Sequence, residues 1–266
     1  MSRTIAIANQ KGGVGKTTTA INLGAALANL SGRVLVIDFD PQANTTAGLG
    51  LARDPSRRSI YHGLLTETQL EDLIVKTPAD NLFLLPSEKN LVGATLELAE
   101  QAGREHALHR KLATLRDSFS FILIDCPPAL DLLTLNALVA ADSVLIPVQC
   151  EYFALEGVSE LLDTLIRIRR SYNLRLAVEG ILLTMYDERT NLSQQVRDDL
   201  RDFFGDQVFE AFIPRNVRLA EAPSYGKPIS LYDPLCRGAK SYLQLAKEVI
   251  RHDQEGARAR TECAAP

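Results

Sequence analysis

The stretch Ile5-Ala6-Ile7-Ala8-Asn9-Gln10-Lys11-Gly12-Gly13-Val14-Gly15-Lys16-Thr17-Thr18 decides how this chain reads. The apolar run Thr4–Ala8 has the composition of a strand, and a glycine-rich turn follows it. Beyond the turn, Thr17–Leu30 carries Ala20, Leu23, Leu27 and Leu30 at helical spacing, giving one apolar face. Strand, glycine loop and helix in that order are the context a phosphate-binding loop needs. Glycines let backbone N–H groups turn toward an anion without a Cβ in the way, and the helix N-terminus adds positive potential. Lys16 stands where it can bridge a β- and a γ-phosphate, Thr17 where it can ligate Mg2+, and Thr18 where it can reach an α-phosphate. The nucleotide-binding set is therefore Lys11, Gly12, Gly13, Val14, Gly15, Lys16, Thr17 and Thr18, with ATP and Mg2+ as the implied ligands. The bland alternative, a glycine turn with a surface lysine, does not account for all three parts falling in register.

Outward from the loop, short β-branched runs alternate with longer helical patterns. Strands are expected at Thr4–Ala8, Val34–Asp38, Leu82–Leu85, Phe121–Asp125, Ser143–Val148, Gly180–Thr184 and Val208–Ile213. Several are almost wholly apolar, as in parallel strands buried on both faces. Helices are expected at Thr17–Leu30, Glu105–Ser118, Leu155–Tyr172 and Leu192–Phe204. The alternation predicts an α/β fold, a doubly wound, mainly parallel sheet flanked by helices, of the P-loop NTPase type. No repeat or linker divides the chain, so residues 1–252 read as one ATPase domain. Residues 253–266, polar and Ala-rich, read as a flexible tail.

Two strand ends carry acids. Val34–Ile37 runs into Asp38-Phe39-Asp40-Pro41-Gln42, and Phe121–Ile124 into Asp125-Cys126-Pro127-Pro128. Ligands of open α/β sheets sit beyond the carboxyl ends of the strands, which brings all three aspartates toward the phosphates. Asp125 fits the strand-terminal acid that holds a magnesium shell. Solvated loop aspartates and a turn-forming acid are the alternatives for these positions. Cys126 reads as a packing residue.

The chain has 266 residues, 46% of them apolar, with a net charge of −4, so a bulk nucleic-acid binder is not indicated. Any DNA contact must come from a local patch. Between residues 211 and 240 five basic residues, among them Arg215, Arg218 and Lys227, face only two acids, which suits phosphate contact without sequence reading; a solvated charged face is the alternative. The four cysteines, Cys126, Cys150, Cys236 and Cys263, form no CxxC pair and read as separate reduced thiols. His62, His106, His109 and His252 have no ligand-like partners in the sequence. No apolar run approaches the roughly 20 residues of a membrane span, and no signal-peptide pattern precedes the glycine loop, so the cytoplasm is the expected compartment.

The loop departs from GxxxxGK[ST]: Gln10 replaces the first glycine and Lys11 opens the glycine run. This KGGxGK[ST] form resembles the deviant Walker A motif of the ParA/MinD superfamily, and Asp38–Gln42 resembles its DxDPQ signature. The resemblance extends to about His252. The stretches Thr184–Asn191 and Ile213–Ile229 look like the Soj-type partition ATPases. It implies that Lys11 reaches across a homodimer to the partner's nucleotide, that Asp40 orients the attacking water, and that Asp38 supports Mg2+ through its waters. With Lys16, Lys11 and Asp40 form the catalytic set. It implies further that Met185, Pro214 and Asn216 stand around the adenine. Arg189 and Arg218, with Arg215 and Lys227 nearby, match a non-specific double-stranded DNA surface. A ParB-like protein is the expected stimulating partner, and nucleoid association the expected location. A MinD-type ATPase would end in a basic amphipathic membrane helix, whereas Tyr242, Leu243, Leu245, Ala246, Val249 and Ile250 look like a core face. The extra N-terminal DNA-reading domain of large plasmid relatives is not expected, since the loop starts near residue 10. A metabolic ATP-dependent ligase on the same fold is the alternative of a different class.

Overall fold

The computed structural model describes the backbone of residues 2–263 and the side chains through residue 255. Seven strands form one sheet: β1 Arg3–Ile7, β2 Val34–Asp38, β3 Val75–Lys76, β4 Leu82–Leu85, β5 Phe121–Asp125, β6 Ser143–Gln149 and β7 Ala177–Thr184, in the order β3-β4-β2-β5-β1-β6-β7. All pairings are parallel except the two-residue edge strand β3, which runs antiparallel to β4. The helices are α1 Lys16–Ser31, α2 Asn44–Gly48, α3 Ile60–Leu65, α4 Leu91–Ala99, α5 Ala107–Leu112, α6 Leu132–Ala140, α7 Ala154–Ser171, α8 Asn191–Phe204, α9 Val217–Glu221, α10 Ile229–Tyr232 and α11 Arg237–Cys263.

Each central strand feeds two cores, because alternate side chains point to opposite faces. Ile5, Ile7, Val34, Val36, Phe121 and Leu123 pack with α1 and the buried side of α11. Ala6, Ala8, Leu35, Ile37, Ile122 and Ile124 pack with α3 through α8. Covered on both sides, the strands have no polar face to keep wet, which is why their middles are apolar and their polar residues fall at the ends.

Four expectations differ from the structure. Val208–Ile213 is not a regular strand. It runs beside β7 with Phe209 N–H donating to Ile181 O (3.0 Å) and Ile213 N–H to Leu183 O (2.8 Å). Between those bonds, Glu210 and Ala211 N–H turn to the buried Glu248 carboxylate, both at 2.9 Å, so the ladder is interrupted by a side chain. α1 has no single apolar face: Ala20 through Ala28 are all buried, because α11 covers the side away from the sheet, while Leu30 is 44% exposed. Glu105–Ser118 forms only a 3-10 turn and the short α5. The last helix continues to Cys263, where the sequence suggested a loose tail after residue 252; residues 264–266 lie outside the described residues. Its core face is Tyr242, Leu245, Ala246 and Val249; Leu243 is 39% exposed. Among the described residues no helix is long and apolar enough to cross a membrane. Cys126 and Cys150 are buried free thiols, and burial pushes both well above the ordinary thiol range.

Candidate functional site

β1 delivers the glycine loop to the carboxyl edge of the sheet. Asn9 anchors it at both ends: its amide donates to Pro147 O (2.8 Å) and its carbonyl accepts from Lys11 N–H (2.9 Å). On the far side, the Thr184 hydroxyl donates to Val14 O (2.8 Å). Gly13 and Gly15 have φ of 76° and 90°, the left-handed region where a Cβ is strained, so glycine is required at both. Gly15 is the N-cap of α1, and no side chain caps that end. The first N–H groups of the helix are thus left for an anion. Lys16 is buried against this loop, its ammonium donating to Asn9 O and Lys11 O, each at 3.0 Å. Burial holds its pKa below the usual lysine value, and the Asp125 carboxylate pulls the other way.

Asp38 and Asp125 are direct partners in the β2–β5 register, so both acids project side by side from neighbouring strands. Both are buried. Asp38 accepts from Thr46 N–H and the Thr46 hydroxyl (2.7 Å each) and from Asp40 N–H (3.2 Å). One Asp125 oxygen, Oδ2, accepts from the hydroxyls of Thr17 (2.9 Å) and Thr45 (2.7 Å); the other, Oδ1, is buried with no hydrogen-bond partner. Burial, then the neighbouring Asp125 charge, pushes Asp38 up to about 8. Burial pushes Asp125 up to about 6, opposed by the two threonine hydroxyls. Two like charges placed together away from water are costly without a counter-charge. An all-oxygen set of two carboxylates and a threonine hydroxyl, with one carboxylate oxygen unpartnered, fits a hard divalent cation such as magnesium. Asp40 lies two residues past Asp38 at the start of a tight turn, one oxygen accepting from Gln42 N–H at 2.8 Å.

A cavity of about 340 Å³ opens beside Gly15 and Thr18 and is lined by Met185, Pro214, Asn216, Val217, Leu219 and Tyr242, among others. Its volume and apolar lining suit a flat heterocycle. Met185 reaches it from a left-handed backbone position, φ 51°. Pro214 is held by the bridge between Tyr186 and Pro214, and Asn216 caps α9 by accepting from Arg218 N–H at 2.9 Å. The three residues expected around a base therefore share one wall with the loop.

Lys11 is on the solvent side of the loop, where its ammonium pairs with Glu151 after β6. Gly12 beside it has open space around its Cα, with no atom within 4 Å of an added Cβ. The basic residues are less free than the sequence suggested. Arg189 is 87% exposed but pairs with Asp187 at 2.7 Å. Arg218 pairs with Glu221 (2.9 Å) and Asp233 (3.6 Å), and Arg237 with Glu188 (3.3 Å). Arg215 and Lys227 are exposed and, among the described residues, have no carboxylate partner within 4.0 Å. Sequence reasoning missed Thr45 and Thr46, which clamp the two acids, and Glu151, which holds Lys11. The Asn44-Thr45-Thr46 triplet, one residue beyond the acidic signature, was the available signal.

The AAA domain family model matches residues 2–178. The chromosome partitioning protein ParA of Caulobacter vibrioides is 51% identical over 255 residues, covering 95% of this chain and 96% of its own. The chromosome-partitioning ATPase Soj of Thermus thermophilus is 54% identical over 253 residues, covering 95% and 97%. Among solved structures, cobyrinic acid a,c-diamide synthase from Mycobacterium smegmatis with bound ADP and magnesium has a TM-score of 0.84 at 39% identity, covering 96% of this chain and 97% of that one.

Proposed function

The chain belongs to the ParA/Soj family of partitioning ATPases, and on that premise we propose that it is an ATP-driven dimerising switch that binds double-stranded DNA without sequence preference. The observation that carries this reading is the convergence at one sheet edge of the glycine loop, the register-paired Asp38 and Asp125, and the cavity beside Gly15.

ATP lies with its phosphates on Lys11–Thr18 and its base in the cavity lined by Met185, Pro214 and Asn216. Lys16 exchanges the carbonyls of Asn9 and Lys11 for the β- and γ-phosphates. Thr17, Asp125 and Asp38 would hold magnesium, which when bound would supply the positive charge that balances the phosphates and the two acids. Asp40 orients the water that attacks the γ-phosphate. Lys11 leaves Glu151 and reaches the partner's phosphates in a closed homodimer, adding a second cation where charge builds up. Closure places two copies of Arg189, Arg215, Arg218 and Lys227 on one surface, and the gain in DNA affinity is avidity. A ParB-like partner raises turnover, and loss of the γ-phosphate removes what held the dimer and releases DNA. The protein works in the cytoplasm, on the nucleoid, and partitions DNA.

A metabolic ligase is the second reading, favoured by the likeness to the mycobacterial synthase. A MinD-like use of the C-terminal helix as a membrane anchor has less support, because Tyr242, Leu245, Ala246 and Val249 are already buried in the core. ATP turnover measured with duplex DNA and a ParB-like protein, and separately with small carboxylic acids plus an amine donor, tests the choice. Stimulation by DNA and partner is expected; stimulation only by the small acid replaces the switch with the ligase.

A further inference from the structure

α2 sits between the two halves of the proposed switch. At one end its Thr45 and Thr46 hold the carboxylates described above, and the Thr46 hydroxyl also accepts from Ser87 N–H at 3.0 Å. At the other end the chain leaves α2 through Gly50, which lies against Gly226. A Cβ on Gly226 would fall 2.5 Å from Gly50 Cα, and one on Gly50 would fall 3.1 Å from Gly226 O. Both glycines are left-handed, φ 89° and 64°. The contact is backbone on backbone, with no flexible side chain between to absorb a shift. Gly48 lies near the same turn: a Cβ built on it would fall 3.5 Å from Pro223 Cβ.

Gly226 closes the 3-10 turn Ala222–Tyr225, which separates Arg218 from Lys227. The turn is also tied to the residue that pins Arg218: Ser224 donates its hydroxyl to Glu221 O (2.6 Å), and the Glu221 carboxylate accepts from Arg218 (2.9 Å) and the Tyr232 hydroxyl (3.1 Å). A continuous path therefore runs from Asp38 and Asp125 through Thr45 and Thr46, the Gly50–Gly226 seam and Glu221 to Arg218.

The path has a reason to move. Thr17, a proposed ligand of the cation, and Thr45 share Asp125 Oδ2, so a cation that draws in Thr17 and the free Oδ1 also reorients the carboxylate that Thr45 holds. The helix is also poised: it is preceded by Ala43 at φ 53°, ψ 37°, a conformation a non-glycine residue seldom holds, and followed by left-handed Gly50. Two such joints bracketing the six residues 44–49 make α2 a short lever rather than a part of the rigid sheet.

We propose that α2 couples the two sites: rearrangement of Thr45 and Thr46 when a metal–nucleotide occupies the carboxylates is delivered through the Gly50–Gly226 seam to the Ala222–Tyr225 turn, where it shifts Glu221 and sets how Arg218 is presented to DNA. The inference rests on the nucleotide reading above, and adds a regulatory link within each chain to the avidity of the dimer. It makes Gly50, Gly226 and Ala43 positioning residues although none of them touches nucleotide or DNA.

Amide hydrogen exchange tests it on the intact chain, with magnesium and a non-hydrolysable ATP analogue as the probe. In wild type, peptides covering 44–51 and 221–228 should change protection together on addition of the analogue. Gly226→Ala, which forces the seam apart, should remove the response at 221–228 and lower the ratio of DNA affinity with analogue to that with ADP by about tenfold, within the range of ordinary couplings. Because that variant can also unfold, Ala43→Gly is the second: it keeps the backbone conformation but gives the lever slack, and should shrink the response at 221–228 by about twofold with analogue affinity changed less. A wild-type response at 44–51 without one at 221–228, or folded variants that both keep the full coupled response, overturns the proposal. No exchange change at the phosphate loop itself overturns the nucleotide reading and the coupling with it. A coupled response in a protein that binds no DNA upholds the lever and removes the DNA reading alone.

Discussion

Replacing Asp125 by Asn should stabilise the nucleotide-free protein at pH 8 and weaken its hold on magnesium. The new amide would still offer one oxygen to the hydroxyls of Thr17 and Thr45 and would carry no charge beside its register partner Asp38. The Asp125 charge that helps to raise Asp38 is removed. The carboxyl of Asp125 rises from 3.8 to about 6 on folding. A raised acid favours the folded state below its unfolded value and loses that advantage as pH climbs to the folded value. Roughly two units at about 1.4 kcal/mol each make a penalty of ~3 kcal/mol that is nearly complete above about pH 7 and absent below about pH 3. The variant escapes it, so its advantage over wild type should grow from ~0 near pH 3 to ~3 kcal/mol at pH 8. Urea unfolding in EDTA at a series of pH values measures this. With magnesium and ATP the order should reverse, because ligand binding stabilises only the chain that binds it. Equal or lower stability of the variant at pH 8, or a gain that does not vary with pH, would refute the argument that the two acids are held together for a cation.

Asp40→Ala should keep ATP binding and an ATP-dependent dimer but lose about two orders of magnitude in turnover, as expected for loss of a water-positioning group; a normal steady-state ATPase rate rules the role out. Gly12→Val should fold and bind ATP, since nothing in its own chain lies within 4 Å of a new Cβ, yet remain monomeric because the proposed partner loop needs that space. Light scattering with ATP reads the outcome, and a dimer of this variant contradicts the sandwich.

The parts of this molecule legible in the sequence are those set by local pattern. The central strands were visible because burial on both faces leaves mostly apolar residues, and the loop because Gly13 and Gly15 are needed for their backbone angles. What escaped depends on distant side chains. Val208–Ile213 has strand composition, but Glu248, far along the chain in α11, takes two of its N–H groups. α1 looked one-sided until α11 was laid over it. In the site, Asp38 and Asp125 were each visible as strand-terminal acids. Their direct pairing is a matter of strand register, and the threonine clamps on them a matter of how α2 folds back. The basic segment showed its charge but not its partners, Asp187, Glu221 and Asp233, which would compete with a phosphate for Arg189 and Arg218.

Control of DNA binding by nucleotide state is tested directly by the affinity for two unrelated duplexes across a salt series, with ATP and with ADP, in wild type, Arg189→Ala and Arg218→Ala. Tight binding with ATP only and equal affinity for both duplexes are expected. The salt slope should fall by about 0.9 for each phosphate the variant no longer neutralises, counted twice in a dimer. Equal binding in the two nucleotide states, or variants that keep the wild-type slope, would contradict it.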